Sequence, residues 1–187
     1  EWDGLKTAVL NLDDPAGLRL LAHLRAKFGA ALPLIGYTLQ SEAVQPDIDG
    51  VSVLRASQFR SRHGGTDFRL ESPWGGATVK TRLVGHFNIS NVLAVLGALL
   101  AKGVALRAAL EALEALTPAP GRMQQVGGQE APMVVIDYAH TPDALEKALQ
   151  ALRPAVAKGH RLVCVFGCGG DRDPGKRPLM AQAAARL

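Results

Sequence analysis

Apolar residues along this chain fall into short runs that alternate with helical repeats. The run from Thr7 to Asn11 (TAVLN) is too short for a helix and ends on a polar amide, which predicts a strand. Asp14 then stands where a helix cap is needed, and Pro15 occupies a first-turn position where its missing N–H costs nothing. A helix therefore follows. Its apolar positions Leu18, Leu21, Leu24 and Phe28 recur every three or four residues, Gly29 suits the C-terminal cap, and Leu32 to Leu39 is the next apolar strand. The segment reads as a β-α-β unit.

From Val51 to Val84 the period changes to two. Val51 and Val53, then Val79, Thr81 and Leu83, alternate with polar residues, and Pro73-Trp74-Gly75-Gly76 supplies a turn, so this stretch predicts antiparallel strands on the rim of the sheet. Asn88 is placed to cap a helix carrying Val92, Val95, Leu96, Leu99 and Leu100. After Gly103 a second helix runs through Leu106, Leu110, Leu113 and Leu116, and both helices are expected to be largely buried. Thr117-Pro118-Ala119-Pro120-Gly121 has the composition of a hinge, which sets a boundary between domains 1–117 and 118–187. Beyond it the β-α-β pattern resumes: a strand over Met133 to Ile136, a helix opened by Thr141-Pro142, a strand over Leu162 to Phe166, and a helix starting near Pro178. These are too few strands to close a sheet, so the chain reads as an excerpt with raw sheet edges.

Composition narrows the class. The chain has 187 residues, 48% hydrophobic and 20% charged, which is ordinary for a globular protein with a real core. No apolar run approaches the roughly 20 residues of a membrane helix and the N-terminus does not resemble a signal peptide, so a cytoplasmic location without membrane insertion is expected. Cys164 and Cys168 lack the second ligand pair of a zinc site. The net charge of +4 is scattered rather than striped along one helix, which argues against nucleic-acid binding.

Four polar clusters fall at strand ends, where open α/β sheets bind ligands. Asn11, Asp13 and Asp14 follow the first strand. Asn88 and Asn91, three apart at a helix start, either present two amides to a purine-like edge or serve as a cap and a solvated neighbour. Asp137 and His140 lie between a strand and a helix and suit ribose, phosphate or water, with capping as the alternative. The stretch Gly167 to Arg177 imitates a phosphate loop, because Gly170 to Lys176 matches GxxxxGK. Arg177 nevertheless replaces the magnesium-binding hydroxyl, Pro174 removes a donor, and Asp171 and Asp173 repel phosphate. Arg172 is better suited to a carboxylate, unless it merely pairs with Asp171 or Asp173. His23 and His86 have no partner in sequence and read as structural, and Cys164 reads as a core residue of its strand.

Taken in order, AVLNLDDPAG, GHFNISNVLAV, PGRMQQV, VVIDYAHTPDALEKAL and VFGCGGDRDPGKRPLM resemble the Mur ligases over nearly the whole chain. The pair DYAHTPDAL and GCGGDRDxGKRPLM points to the branch that adds the third amino acid to UDP-N-acetylmuramoyl-L-alanyl-D-glutamate. The resemblance implies an α/β chain comprising the second half of the central ATPase domain and the start of a Rossmann-like C-terminal domain. It also implies an ATP- and Mg2+-dependent amide ligase that proceeds through an acyl phosphate in peptidoglycan precursor synthesis and is monomeric at full length. By position, Asn88 and Asn91 would lie against adenine, Arg122, Asp137 and His140 would face the nucleotide from the C-terminal domain, and Arg172 would hold a carboxylate of the incoming amino acid. Asn11 and Asp14 belong to the same pattern but are assigned to shaping their turn.

The family's GTNGKT phosphate loop, its magnesium ligands and its carbamylated lysine are expected before Glu1, and its DNPR motif after Leu187. The excerpt alone is therefore expected to be inactive. Meso-diaminopimelate is the expected added amino acid. L-lysine, or a non-catalytic nucleotide-binding module, is the alternative.

Overall fold

A computed structural model describes residues 4–42, 47–62, 64–128, 131–171 and 173–187. It divides into two compact units, Glu1–Leu116 and Thr117–Leu187.

The first unit is built on five strands in the order β1-β2-β3-β4-β5: β1 (Ala8–Asn11), β2 (Leu34–Thr38), β3 (Val51–Arg62), β4 (Gly65–Glu71) and β5 (Ala77–Thr81). The first three are parallel and the last two antiparallel. Helix α1 (Pro15–Phe28) connects β1 to β2, and α2 (His86–Ala101) and α3 (Leu106–Ala115) follow β5. The twofold alternation of strands sorts side chains between two cores. Val53 packs with Leu10, Leu12, Leu21, Leu24 and Leu34 in the α1 layer, whereas its neighbour Leu54 packs with Ile35, Phe68, Leu70, Leu93 and Leu96 in the α2 and α3 layer. Helix α2 comes so close to the sheet that a Cβ on Gly97 would lie 2.7 Å from Val9 Cγ1. Among the described residues, no helix is long and apolar enough to cross a membrane.

Asp14 caps α1 by accepting the Ala16 N–H at 2.7 Å, Pro15 opens the helix, and Gly29 closes it. At α2 the expected cap is displaced. Gly85, with φ 95°, is the cap, so Asn88 sits within the first turn. Helix α3 is not largely buried either: of its residues only Ala109 and Leu113 are buried, and Arg107 and Glu111 pair along its outer side at 3.0 Å. Alternating charged positions make α3 a one-sided helix rather than a core helix.

In the second unit, β6 (Gln124–Val126) pairs antiparallel with β7 (Val134–Ile136). Helices α4 (Pro142–Leu152) and α5 (Lys176–Arg186) bury Leu145, Leu149 and Met180 together. Thr141 caps α4 by accepting the Ala144 N–H at 3.2 Å. The strand expected over Leu162 to Phe166 does not form. No described strand pairs with this backbone, Val165 is 94% exposed, and Leu162 and Cys164 lean on the α4 and α5 core. An alternating sequence lacks its driving force for strand formation where no ladder receives its N–H and C=O groups. Cys164 is accordingly half-buried and outside any strand, and burial raises its thiol pKa above the ordinary value.

Candidate functional site

At the carboxyl end of β1 the polar residues hold one another. Asn11 Oδ1 accepts the Asp13 N–H at 2.9 Å, and Asp13 accepts the Thr38 hydroxyl and, at 2.8 Å, the Leu39 N–H. These bonds tie the exit of β1 to the exit of β2. With Asp14 used as a cap, the cluster shapes its turn. Nearby, burial of the Tyr37 ring raises its phenol pKa, outweighing a hydrogen bond with Ser90 that lowers it, and the charges of Asp13 and Asp14 add to the rise.

The Asn88 and Asn91 pair lies on the first turns of α2. Asn88 is buried, and its Nδ2 donates to the Val84 carbonyl at 2.8 Å. Its Oδ1 accepts from Asn91 Nδ2 at a long 3.4 Å, while Asn91 is exposed. Val84 therefore fixes the rotamer of Asn88, which in turn steers Asn91. Held this way, the exposed Asn91 amide is the one placed to offer donor and acceptor groups to a planar ligand edge, with Asn88 behind it.

A feature missed by the sequence reading flanks this helix start. The pairing of β3 and β4 shifts register between Ser57 and Arg60, where Gln58 adopts φ 53°, and Phe59 packs its ring 4.7 Å from that of His86. A bulge re-aims a side chain in this manner, but its only sequence trace is a break in alternation. His86, read as structural, is an exposed residue of the helix's first turn.

In the second unit the polypeptide brings Arg122, Asp137 and His140 around Tyr138. Asp137 Oδ2 accepts the Met123 N–H at 3.0 Å, and its Oδ1 accepts the Ala139 N–H at 2.8 Å. A carboxylate has about four lone-pair positions, so Asp137 retains capacity for a ligand hydroxyl. The Arg122 guanidinium carbon lies 5.3 Å from the centre of the Tyr138 ring. The His140 ring centroid lies 5.3 Å from that of Tyr138, and its Nδ1 lies 3.0 Å from the Tyr138 carbonyl oxygen. Because a carbonyl only accepts, Nδ1 carries the proton in this contact, which leaves Nε2 for a ligand. Tyr138 is 66% exposed, unusual for a large ring with two polar neighbours already in contact. A cation, an imidazole, a carboxylate and an open aromatic ring together suit an anionic ligand rich in hydroxyl groups. Tyr138 was not singled out in sequence, although its place between Asp137 and His140 was the available signal.

The glycine-rich stretch after Phe166 contains Arg172, which lies outside the described residues. Beside it, Arg177 Nη2 donates to the Gly170 carbonyl at 2.8 Å and to Asp171 Oδ1 at 3.0 Å. Cys168 Sγ donates to Met180 Sδ at 3.3 Å. No group of three or more His, Cys, Asp or Glu among the described residues is arranged to hold a metal ion.

Comparison with known proteins matches residues 3–99 to the Mur ligase middle domain and 121–187 to the Mur ligase glutamate ligase domain. A UDP-N-acetylmuramoyl-L-alanyl-D-glutamate--2,6-diaminopimelate ligase from Janthinobacterium sp. (strain Marseille) is 58% identical over 98% of this chain and 35% of its own length. The protein of the same name from Ralstonia nicotianae is 51% identical over 100% of this chain and 35% of its own length. A solved structure titled as that ligase superposes with a TM-score of 0.68 at 38% identity, covering 97% of this chain and 35% of the other. The chain thus spans about a third of the length of the relatives it matches.

Proposed function

Because the chain belongs to the Mur ligase family, we propose that it forms part of an ATP-dependent ligase that adds meso-diaminopimelate to UDP-N-acetylmuramoyl-L-alanyl-D-glutamate. The observation that carries this reading is the cluster of Arg122, Asp137, Tyr138 and His140 within the matched glutamate ligase domain. ATP supplies the phosphoryl group that activates the D-glutamate carboxylate, so that the incoming amine forms the amide as phosphate leaves.

The chain's own residues bind and orient. Asn91, steered by Asn88, reads the purine edge. Asp137 accepts from a ribose hydroxyl, His140 Nε2 bonds a second hydroxyl or a water, and Arg122 balances phosphate charge. Arg172 takes a carboxylate of the incoming amino acid in a two-bond contact, worth about 1.5–3 kcal/mol for a charged partner. Mg2+, when bound in the complete ligase, would supply charge stabilisation for the phosphoryl transfer. Such a ligase works in the cytoplasm, where ATP is available.

The test is incorporation of labelled amino acid by the complete ligase carrying this sequence. Meso-diaminopimelate should be incorporated in preference to L-lysine, and Arg172→Ala should raise the KM for the amino acid more than that for ATP. Preference for lysine would overturn the substrate assignment. Nucleotide binding without any incorporation would replace the ligase with a binding module.

A further inference from the structure

We propose that Tyr138 is a positioning residue for ATP, its ring holding the Arg122 guanidinium ready to meet phosphate charge. The inference rests on the reading of Arg122 given above. Around Arg122 the backbone is fixed but the side chain is not. The Arg122 N–H donates to the Ala119 carbonyl at 3.0 Å, the Gly121 N–H to Gln124 Oε1 at 3.1 Å, and the Met123 N–H to Asp137 Oδ2 at 3.0 Å. Arg122 itself is exposed and forms no ion pair among the described residues. A guanidinium on a long stem keeps many rotamers unless a partner selects among them. Tyr138 is that partner, with its ring centre 5.3 Å from the guanidinium carbon, inside the reach of a cation–π contact.

The tyrosine is held in turn by its two neighbours. Asp137 Oδ1 accepts the Ala139 N–H at 2.8 Å, which closes the backbone around Tyr138. His140 Nδ1 lies 3.0 Å from the Tyr138 carbonyl oxygen, and its ring meets the tyrosine ring at 5.3 Å and 59°, a tilted aromatic pair. Asp137 also ties Met123, so one carboxylate references both the tyrosine and the turn that carries Arg122. A ring suits this task better than a carboxylate would. A carboxylate would compete with phosphate for the guanidinium, whereas the ring attracts the cation and leaves its N–H donors free.

Tyr138 is 66% exposed and adds little to the core, so its loss should be felt in the site rather than in stability. In the complete ligase, Tyr138→Leu should raise the ATP KM about fivefold and weaken equilibrium ATP binding, measured without amino acid, by about the same factor. The KM for meso-diaminopimelate and the unfolding midpoint should stay unchanged. Tyr138→Phe, which keeps the ring, should remain within about twofold of the parent. Arg122→Met should weaken ATP binding at least as much as Tyr138→Leu. Adding Tyr138→Leu to it should then change ATP binding by less than about twofold, because the ring has no cation left to hold. A signature free of nucleotide is the Arg122 Nε–H resonance in arginine-labelled ligase, identified by its loss in Arg122→Met. Tyr138→Leu should move it by removing the ring current, and Tyr138→Phe should leave it in place.

If Arg122→Met weakens ATP binding while Tyr138→Leu does not, the positioning role is wrong and the reading of Arg122 stands. Fully additive losses in the double variant would mean that Tyr138 acts independently of Arg122, and an uncorrected Tyr138→Phe would assign the effect to the hydroxyl; both overturn the proposal. Equal increases in both KM values with a lowered midpoint would make Tyr138 a structural residue and overturn it too. If Arg122→Met has no effect on ATP, the underlying reading fails first.

Discussion

Asp137 Oδ2 receives the backbone N–H of Met123 at 3.0 Å, joining the entry to β6 with the exit from β7. Met123 is 2% exposed and has φ 49°, a left-handed conformation that a side chain other than glycine rarely adopts. The carboxylate thus fixes a strained residue next to Arg122 while holding Ala139 with its other oxygen. Asp137→Asn replaces one of these acceptors by an amide that can only donate. That substitution should cost about 1–3 kcal/mol and speed hydrogen exchange at the Met123 or Ala139 amide. It should also weaken ATP binding if this carboxylate meets the nucleotide. Exchange rates equal to the parent's would show that the carboxylate does not hold the loop.

The two asparagines of α2 should separate in their effects. Asn88 is buried and bonds Val84, whereas Asn91 is exposed and makes one long contact. Asn88→Ala should lower stability by about 1–2 kcal/mol as well as ATP affinity, because the Val84 carbonyl loses its partner. Asn91→Ala should raise the ATP KM without moving the unfolding midpoint. Thermal unfolding beside ATP kinetics in the complete ligase distinguishes the two, and a midpoint loss on Asn91→Ala would count against its assignment to ligand.

What the sequence made legible was mostly local. Asp14-Pro15 before a periodic apolar face predicts the start of α1, and the cap and helix are found there because all the interactions involved lie within one turn. The change of period after Val51 foretells the antiparallel pairing of β3, β4 and β5, but β3, which carries Val51 and Val53, lies at the centre of the sheet rather than on its rim and also pairs parallel with β2. Failures arise where distant backbone decides. Leu162 to Phe166 alternates like a strand, yet among the described residues no neighbouring ladder accepts it. Gly85, with its positive φ, moves the start of α2 ahead of Asn88. In the candidate site, Asp137 and His140 could be picked out as polar residues at a strand end, but the contact of Arg122 with Tyr138 joins segments separated by β6 and β7 and leaves no local spacing to read.

Gly17 marks a close approach that tolerates no side chain. A Cβ there would lie 1.8 Å from the Asn11 carbonyl oxygen, a backbone atom that cannot rotate away. Gly17→Ala should therefore force α1 off the end of β1 and destabilise the first unit by more than about 3 kcal/mol, despite alanine's better helix propensity. Soluble yield and unfolding midpoint are the readouts. An unchanged or raised midpoint would mean that α1 moves freely over that turn.

Tyr37 gives the first unit a pH signature. Its folded-state pKa is raised by burial above the ordinary value of 10.0, so between the unfolded and folded values the native protein keeps a proton that the unfolded chain has released. Stability from this group is complete below the unfolded value and is lost as pH rises through the folded one. Tyr37→Phe removes the titration. The parent's unfolding midpoint should consequently fall more steeply than the variant's above about pH 10 in matched denaturation series. Parallel curves for the two proteins across that range would show that the phenol ionises as readily in the folded chain as in the unfolded one.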